Sequence, residues 1–216
     1  MPHVRERSSG FAFDAKCPGS CTYLMRLLIG SLLCFVIAAA VGLGSTWLAV
    51  SHGVTIGALT IGAWTARPKL GTAEIDPYAR AEIERRGELP VALGDGITFM
   101  AQSDDADNPL DGRCEVTVRG ITPQARFFTV TLYDPNGKLV GNVINRYGFT
   151  SQELTRNADG SFELAVGPRA RPGNWLPTGG IERYLLAIRL YDTPVGIASK
   201  AGRETPMPTI TTRRCQ

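Results

Sequence analysis

From Leu27 to Ser51 the chain carries no charged residue: LLIGSLLCFVIAAAVGLGSTWLAVS. About 20 apolar residues, rising ~1.5 Å each, cross a hydrocarbon core ~30 Å thick. The run is long enough to span a bilayer as one helix, and that constrains everything else. A cleavable signal peptide needs an apolar region of only ~7–15 residues. The length therefore favours a retained anchor, with Ala38-Ala39-Ala40 as the cleavage site of the alternative reading. Arg5, Arg7, Lys16 and Arg26 precede the run, whereas the next basic residues after it are Arg67 and Lys69. Cytoplasmic flanks carry the excess of Lys and Arg. The expected organisation is a cytoplasmic tail at 1–26, a transmembrane helix at 27–51 whose partner is the lipid bilayer, and an outer domain at 54–216. Trp47 and Trp64 suit the outer headgroup level. The small-residue pairs Ala38/Gly42 and Ala40/Gly44 would let two helices approach closely, although small residues are common in spans anyway.

Of 23 Lys and Arg and 20 Asp and Glu, four basic and two acidic residues precede the run, leaving 19 and 18 and a net of +1 beyond it. Such a balance has no basic stripe for nucleic acid. The 24 Gly and 14 Pro favour turns and short strands over long helices. Residues 54–66 (VTIGALTIGAWTA) suggest a first strand. Asp76, Pro77 and Gly87 mark the cap, first turn and exit of a short surface helix. From Leu93 onward the period is two. Strands are expected at 97–101, 114–120, 127–134, 161–166 and 184–192, with a last edge near Thr209–Thr211. Asp134-Pro135-Asn136-Gly137 is a turn signal, so 138–144 (KLVGNVI) is expected to return as the hairpin partner of 127–134. The stretch 150–157 allows a short helix. Many short strands between Gly/Pro turns indicate an antiparallel sandwich or barrel.

There are five cysteines. Cys34 lies inside the run. Cys17 and Cys21 sit on the expected reducing side without a second ligand pair to complete a metal site. Cys114 and Cys215 are the two on the expected oxidising side, where they either bridge or remain as buried thiols. The two histidines, His3 and His52, both lie before the outer domain. That domain thus lacks the base of a Ser-His-Asp or Cys-His arrangement and the usual ligands of catalytic zinc. No dinucleotide or phosphate-binding glycine motif occurs. Neither a cofactor nor a metal is expected, and the chemistry points away from an enzyme without removing carboxylate-only glycosidases.

Three constellations remain. Asp104, Asp105, Asp107, Asn108 and Asp111 bring oxygen ligands together, but Pro109 and Leu110 break the calcium-loop spacing, so a solvated turn is the simpler reading. The loop 167–179 (GPRARPGNWLPTG) offers Arg169, Arg171, Asn174 and Trp175. An indole face beside guanidinium forks suits a sugar or a carboxylate, against the alternative of a Trp plugging the core. A carboxylate pair drawn from Glu153, Asp159, Glu163 and Glu182 is the third, against ordinary surface charge.

The pieces WTARPKLGTAEIDPYARA, RRGELPVALGDGITFMA, ITPQARFFTVTLYDPNG, NRYGFTSQEL, DGSFELAV, ARPGNWLPTGG and LLAIRLYDTP resemble a bacterial family catalogued as a domain of unknown function, number twelve-fourteen. NWLP and the RLYD strand end are its more specific marks. The resemblance runs from Trp64 to Cys215, and the chain looks like a short, stand-alone form behind one transmembrane helix. It implies a mainly β fold, an antiparallel β-sandwich of jelly-roll-like kind. It also places the anchor in a bacterial inner membrane with the domain in the periplasm, and it supplies no activity or catalytic residues. The resulting expectation is a membrane-anchored periplasmic module that binds a glycan or an envelope protein through the Arg169–Trp175 loop. A carboxylate-dependent enzyme on a cell-envelope polysaccharide is the alternative, and a purely structural partner of a neighbouring envelope protein is a third.

Overall fold

The computed structural model describes residues 18–52, 58–86, 91, 94–196 and 205–215, so His3 and Cys17 lie outside the described residues. The chain forms two compact units, Met1–Leu48 and Ala49–Gln216. The first is dominated by a helix, α1 (Pro18–His52). Its segment Thr22–Leu48 has mean hydropathy 2.5, and none of it is buried against protein. A helix apolar all round and unpacked by its own chain has the character of a membrane span or a signal sequence. Three of its hydroxyls are satisfied within the helix: Ser31 donates to the Leu28 carbonyl, and Ser45 and Thr46 both donate to that of Gly42.

The second unit begins with β1 (Leu59–Ile61) and β2 (Trp64–Ala66), which pair antiparallel. A single strand over 54–66 is therefore replaced, over its described part, by a hairpin. Gly62 turns it with φ of 56°, a conformation that side chains disfavour. Trp64 presents no ring face to lipid. It is fully buried, and its indole N–H donates to the Pro208 carbonyl at 2.6 Å. Helix α2 (Pro77–Arg86) follows. Asp76 Oδ1 accepts from the amides of Tyr78 and Ala79, which satisfies first-turn donors that the helix itself cannot. Of its described side chains only Ala79 is buried, so α2 lies on the surface.

Eight further strands follow: β3 (Gly96–Ala101), β4 (Cys114–Gly120), β5 (Phe127–Tyr133), β6 (Gly148–Thr150), β7 (Phe162–Gly167), β8 (Asn174–Pro177), β9 (Leu185–Tyr191) and β10 (Thr209–Cys215). They form a six-stranded sheet, β1-β2-β3-β9-β5-β6, and a four-stranded sheet, β10-β4-β7-β8. Alternation sends one face of each sheet into a common core. Phe99, Val130, Leu186 and Ile188 come from the larger sheet, and Val118, Phe162, Leu164, Leu176 and Ile210 from the smaller. Phe128 and Phe162 stack across the interface at 6.1 Å. The fold is thus the expected β-sandwich, and neither sheet closes into a barrel.

Two local expectations fail. Residues 138–144 return beside β5 only at a single bridge, Leu139 opposite Tyr133, and form no hairpin strand. Both neighbours of β5 come from later in the chain, β9 and β6. Leu139, Val143 and Ile144 stay exposed, and only Val140 packs against the core. The segment is a loop fastened at one end by Asp134, whose carboxylate accepts from the amides of Asn136 and Lys138. Residues 150–157 make a single turn rather than a helix, with Glu153 accepting from the Thr150 amide and hydroxyl.

One strand pair departs from the antiparallel rule. β8 runs parallel to β7, with Leu164 beside Asn174 and Gly167 beside Pro177. The six connecting residues 168–173 must therefore double back within a reach of ~20 Å. Pro168 and Pro172 stiffen that return, and Gly173, at φ of 82°, reverses it.

Candidate functional site

The doubled-back loop matters because of what lies beneath it. On the face of the smaller sheet turned away from the core, Thr117 on β4, Ala165 on β7 and Trp175 on β8 are register partners in one row. Strands lie ~4.8 Å apart, so the row places the Thr hydroxyl and the indole about 10 Å apart at the backbone, with a methyl group between them. The small central residue makes a hollow. Together with Arg169, Arg171 and Pro172 of the loop, this row lines a groove of about 160 Å³.

Each wall has a fixed partner. The Trp175 indole N–H donates to the Gly167 carbonyl at 3.1 Å, and Arg146 donates to the Trp175 carbonyl at 3.2 Å from outside the sheet edge. Arg171 is paired with Glu115 on β4. Toward the other end, Arg213 Nη2 lies 3.9 Å from Glu163 Oε1, in the β10–β4 pairing where a register shift falls between Thr212 and Arg214. Arg169 is exposed and has no acidic partner among the described residues. Thr117 is buried on the groove floor.

Of the four loop residues singled out in the sequence, three meet here and one does not. Asn174 alternates to the opposite side of β8 and is buried. Its Oδ1 accepts from the Thr155 amide at 2.8 Å, and its Nδ2 donates to the carbonyls of Thr155 and Glu163, each at 2.9 Å. With every polar atom occupied, it clamps β7 and β8 rather than facing a ligand. Glu115, Thr117 and Arg213 were missed as groove residues. Alternation in CEVTVRG puts Glu115 and Thr117 on the polar face, but only strand pairing brings that face under the loop.

The sulfurs of Cys114 and Cys215 are bonded, and the two residues are register partners at one end of the β10–β4 pair. They flank the groove, because Glu115 and Arg213 are their close neighbours in sequence. Cys34 is a free thiol on α1.

The acidic loop spends its oxygens on the protein. Asp104 Oδ1 accepts from the amides of Ala106 and Asn108. Burial pushes the Asp104 carboxyl up, but the nearby Thr212 hydroxyl and the Asn108 and Ala106 amides outweigh it and hold the carboxyl below its ordinary value. Asp105 joins the β1–β2 turn to β10, accepting from Ala63 at 3.1 Å and from Ile210 at 2.7 Å. Hydrogen bonds from the Arg113 side chain and amide hold the Asp111 carboxyl at about 2. Among the described residues no group of three or more His, Cys, Asp or Glu is arranged to hold a metal.

The carboxylate candidates are scattered. Glu153 holds the Thr150 turn, and Asp159 accepts from the Ser161 amide and hydroxyl. Glu182 lines a separate hollow of about 430 Å³ with Asp134, Leu139, Val140 and Ile181; there, one Asp134 oxygen is already committed to its turn. Within the groove, Glu163 is opposite Arg119, four residues along β4 from Glu115. That separates their backbones by roughly 13 Å along the strand, and each carboxylate is drawn to its own arginine.

A β-sandwich with a loop-covered groove on its outer face defines the class. Residues 95–195 match the family described as "Protein of unknown function (DUF1214)". The match starts at β3 and ends after β9, so it includes the groove's floor and loop but not β10. Among solved structures, the chain is similar to the VPA0106 protein from Vibrio parahaemolyticus, with TM-score 0.52 and 20% identity over 65% of this chain and 36% of that one. It thus spans about a third of the Vibrio protein's length, and the likeness speaks for the fold alone. An uncharacterized protein from Burkholderia cenocepacia aligns with TM-score 0.36 and 18% identity over 83% of this chain and 52% of that one. No curated protein matches the chain.

Proposed function

We propose that the protein is a single-pass anchored module of the bacterial inner membrane, with its N-terminus in the cytoplasm and its β domain in the periplasm, and that it binds a saccharide in the groove under loop 168–173. The groove row carries this reading: an indole tethered by its own N–H bond, a methyl-floored hollow and a hydroxyl in line. An aromatic face with polar groups beside it suits a sugar ring, which is apolar on its faces and hydroxylated at its rim. The basic residues before α1 and a bonded cysteine pair after it support the orientation, since disulfides persist outside the reducing cytosol.

The test is a panel of envelope oligosaccharides titrated against full-length protein in detergent micelles, beside the variants Trp175→Ala and Ala165→Leu. The first removes the stacking face, and the second fills the hollow from an outward position. Both should keep the wild-type circular dichroism and lose binding by at least roughly tenfold, the scale of one lost ring contact. Unchanged binding in both variants removes the groove from consideration. Capture of an envelope protein instead of any saccharide would replace the sugar with a protein partner. Shortening of a bound oligosaccharide would replace binding with carboxylate-dependent hydrolysis.

A further inference from the structure

The groove holds three guanidinium groups and two carboxylates. Arg171 is spent on Glu115 and Arg213 faces Glu163, so each of these charges is locally balanced. Arg169 is left without an acidic partner among the described residues, at the rim of the same groove. Its loop position is constrained on both sides: Pro168 precedes it, and Pro172 and Gly173 close the return. A guanidinium held on a stiffened loop loses less freedom when it captures a ligand. The fork geometry of Arg suits a carboxylate or a phosphate. From this we infer that the groove is built for an anionic saccharide, with the sugar ring on Trp175 over Ala165 and its carboxylate or phosphate on Arg169. The inference rests on the saccharide reading above and adds the charge of the ligand. The two balanced pairs also set a limit: a polyanion gains one free guanidinium here, not three, so one charged group per bound ring is recognised.

The experiment uses full-length protein in detergent micelles and isothermal titration with four probes. A hexuronate oligomer is compared with the same oligomer after carboxyl reduction, and glucose 6-phosphate with glucose. The two pairs separate a carboxylate source from a phosphate source. At least one charged probe should bind about tenfold more tightly than its neutral counterpart, the scale of a charge-assisted contact. Added salt should narrow that ratio. Arg169→Gln should abolish the ratio, the charged probe then binding no more tightly than its neutral counterpart, and Arg169→Lys should retain part of it. Equal affinity for charged and neutral probes in the wild type overturns the anionic inference and leaves the saccharide reading intact. A ratio that survives in Arg169→Gln also overturns it. Failure of every probe to bind overturns both.

Discussion

Asp105 illustrates how a residue chosen for one chemistry serves another. In sequence it is one of several crowded oxygens that suggest a cation. In the fold its two oxygens reach the amides of Ala63 and Ile210, tying the β1–β2 turn to β10. Asp105→Ala should cost about 1–3 kcal/mol, since two donors lose an ionised acceptor; urea unfolding of the variant checks this. Asp111 gives a pH signature. Its carboxyl sits at about 2 in the fold, against ~3.9 in an unfolded chain. A depressed carboxyl contributes stability that is fully present above the unfolded value and is lost as pH falls through the folded one. The Tm gap between wild type and Asp111→Asn should therefore be largest above pH ~4 and close toward pH ~2. A gap that widens on acidification contradicts the assignment. Trp175 and Asn174 are adjacent, yet one serves the surface and the other the interior. Period-two alternation could assign them to opposite faces, but not say which face was which.

At the level of elements, the strands with clear alternation were readable. The expected 114–120 matches β4, and 127–134, 161–166 and 184–192 fall within a residue or so of β5, β7 and β9. The Asp76-Pro77 helix start was readable too, because capping is local chemistry. Pairing was not. The turn at 134–137 is a local signal and forms as such, but the partner of β5 is decided by which distant strands bury Phe128, Val130 and Leu132. The parallel β7–β8 pair was invisible because 167–179 reads as one Gly/Pro-rich loop, and NWLP becomes a strand only by pairing with β7. That connection is nonetheless what folds Arg169 over the groove. Gly173→Ala should loosen it. A side chain meets no neighbour within 4 Å there, but the left-handed backbone would cost roughly 1–2 kcal/mol. Weaker saccharide binding is expected, with a Tm lower by roughly 2–8 °C. The Cys114–Cys215 bond closes a sequence separation of 101 residues, and its loss should cost about 2–5 kcal/mol. Denaturant midpoints of Cys114→Ser/Cys215→Ser against wild type measure this, and no shift would mean that the bond does not constrain the domain.

For the whole molecule, the uncharged run and the period-two alternation beyond it read as one long apolar helix and a β-sandwich, and both are present. The groove was legible only in fragments, because its floor comes from β4, β7 and β8 and its roof from one loop. A saccharide resting on one indole must perturb that indole and spare the buried one. The chain has three tryptophans, Trp47, Trp64 and Trp175, so a nitrogen–proton spectrum of the labelled protein offers three indole signals, each assignable by substitution. Titration with a binding saccharide should move the Trp175 indole signal and leave that of Trp64, buried and bonded to Pro208, in place. Saturable binding during which the Trp175 signal stays still would mean that the saccharide does not rest on Trp175.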